Sequence, residues 1–274
     1  MKLIRFAIGQ ELAFGVLEEG ASIRRLLGSP FESLATGPAT CSLGEVRLMA
    51  PVEAPRIICA GLNYVSHIKE SHMVAPSIPM LFMKHPSAVI GPSEPIVYPR
   101  QARTVHYEGE LAVVIGRRTR RVPEEQALAS VLGYTCANDV SERVTQAAEM
   151  KLGCLLVGKS YDTFCPLGPV IATGLDPTSL ELTTRLNGEV RQHINTSDLL
   201  FSVARLVSYL SQAMTLWPGD VILTGTPGGV GPIQPGDTVE IEIAGIGVLR
   251  NPVVAEARSI HEGPVKHPGS GGLR

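Results

Sequence analysis

Apolar runs in this chain are short and repeatedly stop at glycine or proline, as in "LAVVIG" (111–116), "AVIGP" (88–92) and "LLVG" (155–158). With 28 glycines and 21 prolines among 274 residues, breakers recur too often for a bundle of long helices. Each one removes a helical hydrogen bond or lowers helix propensity, whereas strands joined by turns accommodate both residues. No apolar stretch approaches the ~18–20 residues of a membrane span. Aromatic residues are few, so the core is expected to be aliphatic.

Periodicity and turn residues predict strands at 56–60, 80–83, 88–90, 110–115, 131–137, 168–171, 181–187, 221–224 and 237–243. Helices are predicted at 63–70, 123–130, 141–150 and 198–213. The last has Leu199, Val203, Leu206 and Leu210 at helical spacing and Thr196 or Ser197 as its cap. Pro123 followed by two acids reads as another helix start. Residues 1–52 form a small N-terminal β-rich domain in this division, and 53–274 a second, catalytic domain. The fold class is mixed and mostly β.

Formal net charge is −2, which excludes a general nucleic-acid binder lacking any basic surplus. "GRRTRR" (116–121) reads as a solvated turn. The five cysteines, at 41, 59, 136, 154 and 165, form no CxxC pair and fit free thiols of a reducing compartment. The N-terminus lacks a signal-peptide h-region, so a cytoplasmic protein with no membrane or nucleic-acid partner is expected. A GxGxxG phosphate loop and a GxSxG elbow are missing from the sequence.

Chemistry concentrates in a few places. "VHYEGELAVVIG" (105–116) sets Glu108 and Glu110 two apart, on one face of an extended segment. Such a pair is either a wet strand edge or a cation site, since a divalent ion removes the mutual repulsion. Asp139 in "CANDVSER" supplies a third carboxylate, and oxygen-only ligands favour Mg²⁺, Mn²⁺ or Ca²⁺ over Zn²⁺. His106, beside the pair, is expected to point away from both and is left out of the metal shell. His67 and Glu70 lie three apart on one helical turn, as a surface pair or as an imidazole oriented by a carboxylate for general-base work. Lys159, Lys84 and Thr226 stand in apolar or glycine-rich frames where they can serve a substrate carboxylate or enolate, or simply the structure.

Taken together, "CAGLNYVSHIKE", "LFMKHPSAVIGP", "VHYEGELAVVIG", "GYTCANDVSER", "GKSYDTFCPLGPV" and "NTSDLLFSVARLVSYLSQAMTLWPGDVILTGTPGGVG" resemble the fumarylacetoacetate hydrolase family, over roughly residues 53–253 in one order. The resemblance implies a rolled β-sheet catalytic core and a homodimer. It implies Mg²⁺ or Mn²⁺ on Glu108, Glu110 and Asp139, substrate contact by Lys159 and Thr226, and a His67–Glu70 dyad that closes over a small oxo-acid substrate. Two stretches depart from the family pattern. "MKLGCLLVGK" lacks the aromatic and basic segment that many members carry before "GK", and Glu142, Arg143 and Val144 stand where an alanine–arginine–aspartate pattern is usual.

The reaction expected from the resemblance passes through a metal-chelated enolate. Its favoured outcome is 2-hydroxyhepta-2,4-diene-1,7-dioate isomerisation with 5-oxopent-3-ene-1,2,5-tricarboxylate decarboxylation. Hydrolysis of an acylpyruvate or β-diketone by His67-activated water, oxaloacetate decarboxylation, and a non-catalytic metal-stabilised role are the alternatives.

Overall fold

The computed structural model describes residues 1–53, 55–70 and 74–257. Ten strands follow one another across the main sheet, in the order Thr36–Ser42, Ser22–Leu26, Glu11–Leu17, Lys2–Ile8, Cys165–Ala172, Val131–Asn138, Gly109–Ile115, Val221–Leu223, Ile57–Gly61 and Met80–Lys84. Two more, Arg47–Met49 and Val89–Ile90, attach to its flanks. This curled, mostly β architecture agrees with the fold expected from the sequence. The strands of residues 1–49 join the same sheet, through Lys2 and Leu3 opposite Ala172 and Ile171.

Gly109–Ile115 shows why the run is apolar throughout. It pairs with Val131–Asn138 on one side and Val221–Leu223 on the other, and all seven residues are buried. A strand covered on both faces has no polar alternation to show. A five-stranded sheet, ordered Glu189–Asn195, Glu181–Leu186, Thr238–Ile243, Gly247–Ala255 and Ile96–Tyr98, packs against it. Leu167, Leu182, Ile241 and Leu249 fill the aliphatic core.

Among the described residues four α-helices complete the fold: α1 (Val65–Glu70), α2 (Glu124–Ala127), α3 (Arg143–Lys151) and α4 (Val203–Ala213). The predicted start of the last helix is corrected. Residues 196–198 make a separate single turn, and α4 begins at Val203 with Ser202 Oγ accepting from the Arg205 amide at 3.1 Å. A long-range contact overrides the local pattern. The buried Asn63 side chain accepts from Phe201 N at 2.8 Å and donates to Phe201 O and Thr224 O, holding the intervening chain extended. Within α4, Val203, Leu206, Val207 and Leu210 form the buried stripe. Strands Glu189–Asn195 and Gly247–Ala255 escaped prediction because polar residues and a proline interrupt their apolar runs, Arg191, Gln192 and His193 in the first and Arg250, Asn251 and Pro252 in the second.

Candidate metal centre and active-site cavity

Strand register creates the acidic cluster. Gly109 lies opposite Asn138, so Glu108 and Asp139 follow at the same end of two adjacent antiparallel strands. The link is tight: Asp139 N donates to Glu108 O at 2.9 Å, and Glu108 N to the Asn138 side chain at 2.9 Å. Glu110, one step into the strand, is fully buried. A carboxylate oxygen from each of Glu108, Glu110 and Asp139 lies within 4.8 Å of the others. The residue between the glutamates must be glycine, because a Cβ at position 109 would meet Thr184 Oγ1 at 2.0 Å.

Cations surround two of the three acids. Lys159 Nζ lies 2.8 Å from Glu108 and 2.7 Å from Asp139, while Arg143 reaches the other Glu108 oxygen at 2.7 Å. Lys84 donates to the second Asp139 oxygen at 2.5 Å and to Val140 O at 3.0 Å. Burial opposes the charge on Asp139, but Lys159 and Lys84 outweigh it and hold that carboxyl below its usual range. Burial likewise opposes the Lys159 ammonium, and the Asp139 and Glu108 charges overcome it, so the lysine stays protonated well above neutrality.

Glu110 differs. Burial pushes its carboxyl well up, and the Asp139 and Glu108 charges push the same way against Lys159 and the Gly225 N–H. That amide donates to Glu110 at 2.6 Å, but among the described residues no Lys or Arg forms an ion pair with it. Three buried oxygen donors with one acid left without a counter-charge fit a hard divalent cation. The wet-edge alternative does not fit carboxylates this buried.

The cluster lies in a cavity of about 310 Å³ that is also lined by His67, Lys159 and Thr226. Thr226 Oγ donates to Gly109 O at 3.0 Å and accepts from Gln192 Nε2 at 2.8 Å, so it also braces the backbone between the two glutamates. Lys84 sits behind Asp139, away from the cavity lining. The side chain of Glu70, the last residue of α1, lies outside the described residues.

His106 requires a correction. Residues 106, 108 and 110 are spaced two apart, so alternation places all three on one side, not on opposite sides. His106 lines the same cavity, although the three-carboxylate cluster does not include it. Its Nδ1 is buried with no protein partner, and burial, then the Arg143 charge, holds the ring below its ordinary pKa against the pull of Glu108. Arg143 and Gln146, on the first turn of α3, also line the cavity and were named from sequence only as part of a departure or not at all. Their signal was present in the helix start immediately after Asp139.

A buried oxygen-donor triad on a curled sheet, with a lysine fixed among its carboxylates and a histidine on the cavity wall, defines an acid-lined enzyme site of a particular kind. The chain belongs to the fumarylacetoacetate hydrolase family: the family's C-terminal domain matches residues 56–254, and an Rv2993c-like N-terminal domain matches residues 1–51. The 5-carboxymethyl-2-hydroxymuconate delta-isomerase structure from Mycobacterium smegmatis is 47% identical, with a TM-score of 0.87, covering 93% of this chain and 100% of that one. The 2-hydroxyhepta-2,4-diene-1,7-dioate isomerase from Mycobacterium marinum gives 43% identity and a TM-score of 0.86, covering 94% and 100%. The mitochondrial oxaloacetate tautomerase FAHD2A of Bos taurus is 42% identical over 233 residues, 81% of this chain and 74% of that protein. Among the described residues no helix is long and apolar enough to cross a membrane.

Proposed function

We propose that this protein is a divalent-metal-dependent isomerase of 2-hydroxydienoic acids and their 2-oxo forms, related in chemistry to 2-hydroxyhepta-2,4-diene-1,7-dioate isomerisation. The carrying observation is the buried triad Glu108, Glu110 and Asp139, with ligand oxygens within 4.8 Å, on the wall of a cavity that also takes His67. The triad would hold Mg²⁺ or Mn²⁺, and such an ion supplies Lewis acidity that favours negative charge on the oxygens of an oxo acid.

The chain's own groups do the rest. Lys159 presents a permanent positive charge where enolate character develops, and Lys84 keeps Asp139 ionised and fixed. Arg143, held by Glu108 and Gln146, keeps a positive charge on the cavity wall that favours a substrate carboxylate. His67, on α1, moves a proton between two carbons of the conjugated system. In the decarboxylase outcome the C–C bond to a carboxylate breaks instead, CO₂ departs, the bonding pair stays as the enolate, and a proton from His67 or water is added at carbon.

His67 at the cavity wall also favours a second reading, in which the same imidazole activates water and the C–C bond of an acylpyruvate is cleaved. Metal-stripped protein reloaded with Mg²⁺ or Mn²⁺, given a dienoic acid and an acylpyruvate, separates the two by product mass. Isomer formation lost in Glu110→Gln and His67→Ala supports the isomerase. Two carboxylic fragments would replace it with the hydrolase. Conversion by Glu110→Gln at the wild-type rate would sink both.

A further inference from the structure

Next to the carboxylate cavity lies a second hollow of about 430 Å³, which shares Met80, Phe82, Met150 and Leu155 with it and adds Leu81 and Cys154. The two share a wall and differ in chemistry. Phe82 stands at the junction: its ring lies 5.0 Å from the Lys159 ammonium and also walls the hollow. Beyond it, no described lining residue carries a charge. The wall is also held in place. The Glu149 carboxylate accepts from the amides of Leu156, Val157 and Gly158 at 3.2, 2.7 and 3.0 Å, which fixes the loop that presents Leu155.

We infer that this hollow receives the tail of the bound oxo acid, and that the tail is an uncharged alkyl or aryl group. The inference rests on the proposal that the carboxylate cavity binds the oxo-acid head. It departs from the 1,7-dioate expected on sequence resemblance. A second carboxylate in the hollow would meet no cation among the described lining residues. A hydrocarbon there gains from contact with thioether, thiol and ring carbons. The volume is ample, since a cavity of roughly 150 Å³ already admits a benzene ring.

The test uses the Mn²⁺-loaded full-length protein with unbranched 2-oxo monoacids from pyruvate to 2-oxooctanoate, 4-phenyl-2-oxobutanoate, and 2-oxo diacids of matched length. Deuterium exchange at C3, followed by NMR, and calorimetric binding are read together. The monoacid Kd and KM should fall roughly two- to fourfold per added methylene. Each diacid should bind weaker than its monoacid by on the order of tenfold. In Leu155→Arg and Met150→Lys the monoacid-to-diacid ratio should move towards the diacids.

Exchange of pyruvate without any gain from chain length, or diacids binding best, would overturn the tail site while leaving the head site intact. If no acid, pyruvate included, either exchanged or bound, the head-site proposal would fail first. An unmoved ratio in Leu155→Arg, accompanied by conversion of a dimer to monomer in light scattering, would show that a second copy of the chain covers the hollow instead.

Discussion

Asp198 takes both protons that Ser66 can offer, the backbone amide at 2.9 Å and the hydroxyl at 2.7 Å, across 132 residues of sequence. Ser66 is the second residue of the six-residue helix carrying His67, and so short a helix has little stability of its own. Its place over the cavity therefore depends on this carboxylate and on the neighbouring bridge between Tyr64 and Leu199.

Asp198→Ala should lower kcat through displacement of His67, by on the order of tenfold to a hundredfold. Asp198→Asn, which keeps one acceptor, should recover part of that loss. Hydrogen exchange across 65–70 provides the check: faster exchange confined to that helix is expected, whereas unchanged exchange with reduced kcat would assign Asp198 a different role.

Lys84→Met leaves Asp139 short of one cation in a fully buried setting. Breaking such a pair typically costs about 3–5 kcal/mol. Urea unfolding of the metal-free variant should show a loss of this order, and saturating Mg²⁺ should restore part of it by replacing the missing charge. An equal loss with and without Mg²⁺ would argue against a cation beside Asp139.

Glu142 supplies a pH dependence. Burial pushes its carboxyl up, but protons from Thr145, Thr104 and Arg103 outweigh burial and bring it below the ordinary range. A depressed folded value means that the contribution is complete above the unfolded pKa of about 4.3 and fades as pH falls through the folded one. Glu142→Gln should cost about 1 kcal/mol at pH 7, from the weakened cap of α3. Thermal melts should show the gap to wild type closing towards pH 3. A gap that widened in acid would contradict the assignment.

Gly109→Ala forces a methyl group onto Thr184 Oγ1. The backbone between the two glutamates must shift, at about 1–3 kcal/mol. Mn²⁺ binding, read by electron paramagnetic resonance, should weaken more than overall stability does. Thr184→Ala in the same chain removes the obstructing hydroxyl and should restore part of the binding.

The site was legible where chemistry and pattern coincide. Glu108 and Glu110 interrupt an otherwise apolar strand, and nothing in a buried strand explains two carboxylates except something that pairs with them. Gly109–Ile115 and Val131–Asn138 were likewise readable, because strands buried on both faces show as unbroken apolar runs. What escaped depended on distant partners or on parity. Asn63 redirects residues 199–202 from 138 positions away, which no local window can register. His106 was misplaced by one face, although its even spacing from Glu108 carried the right answer. Lys84 looked like a substrate contact because sequence shows an isolated lysine, not the aspartate it meets.

The pairing of Lys2 and Leu3 with Ala172 and Ile171 bears on how this protein can be handled. Among the described residues, strand Cys165–Ala172 pairs with the N-terminal segment through those two residues, and with Val89–Ile90 at Cys165 and Pro166. Removing the first 51 residues would uncover the backbone donors and acceptors of Ile171 and Ala172 at the end of an apolar strand. A bare, apolar strand margin of that kind invites pairing between molecules. The N-terminal segment is in this sense a selvedge: it stops the sheet from unravelling into its neighbours, and a shortened chain should precipitate before it loses its carboxylates.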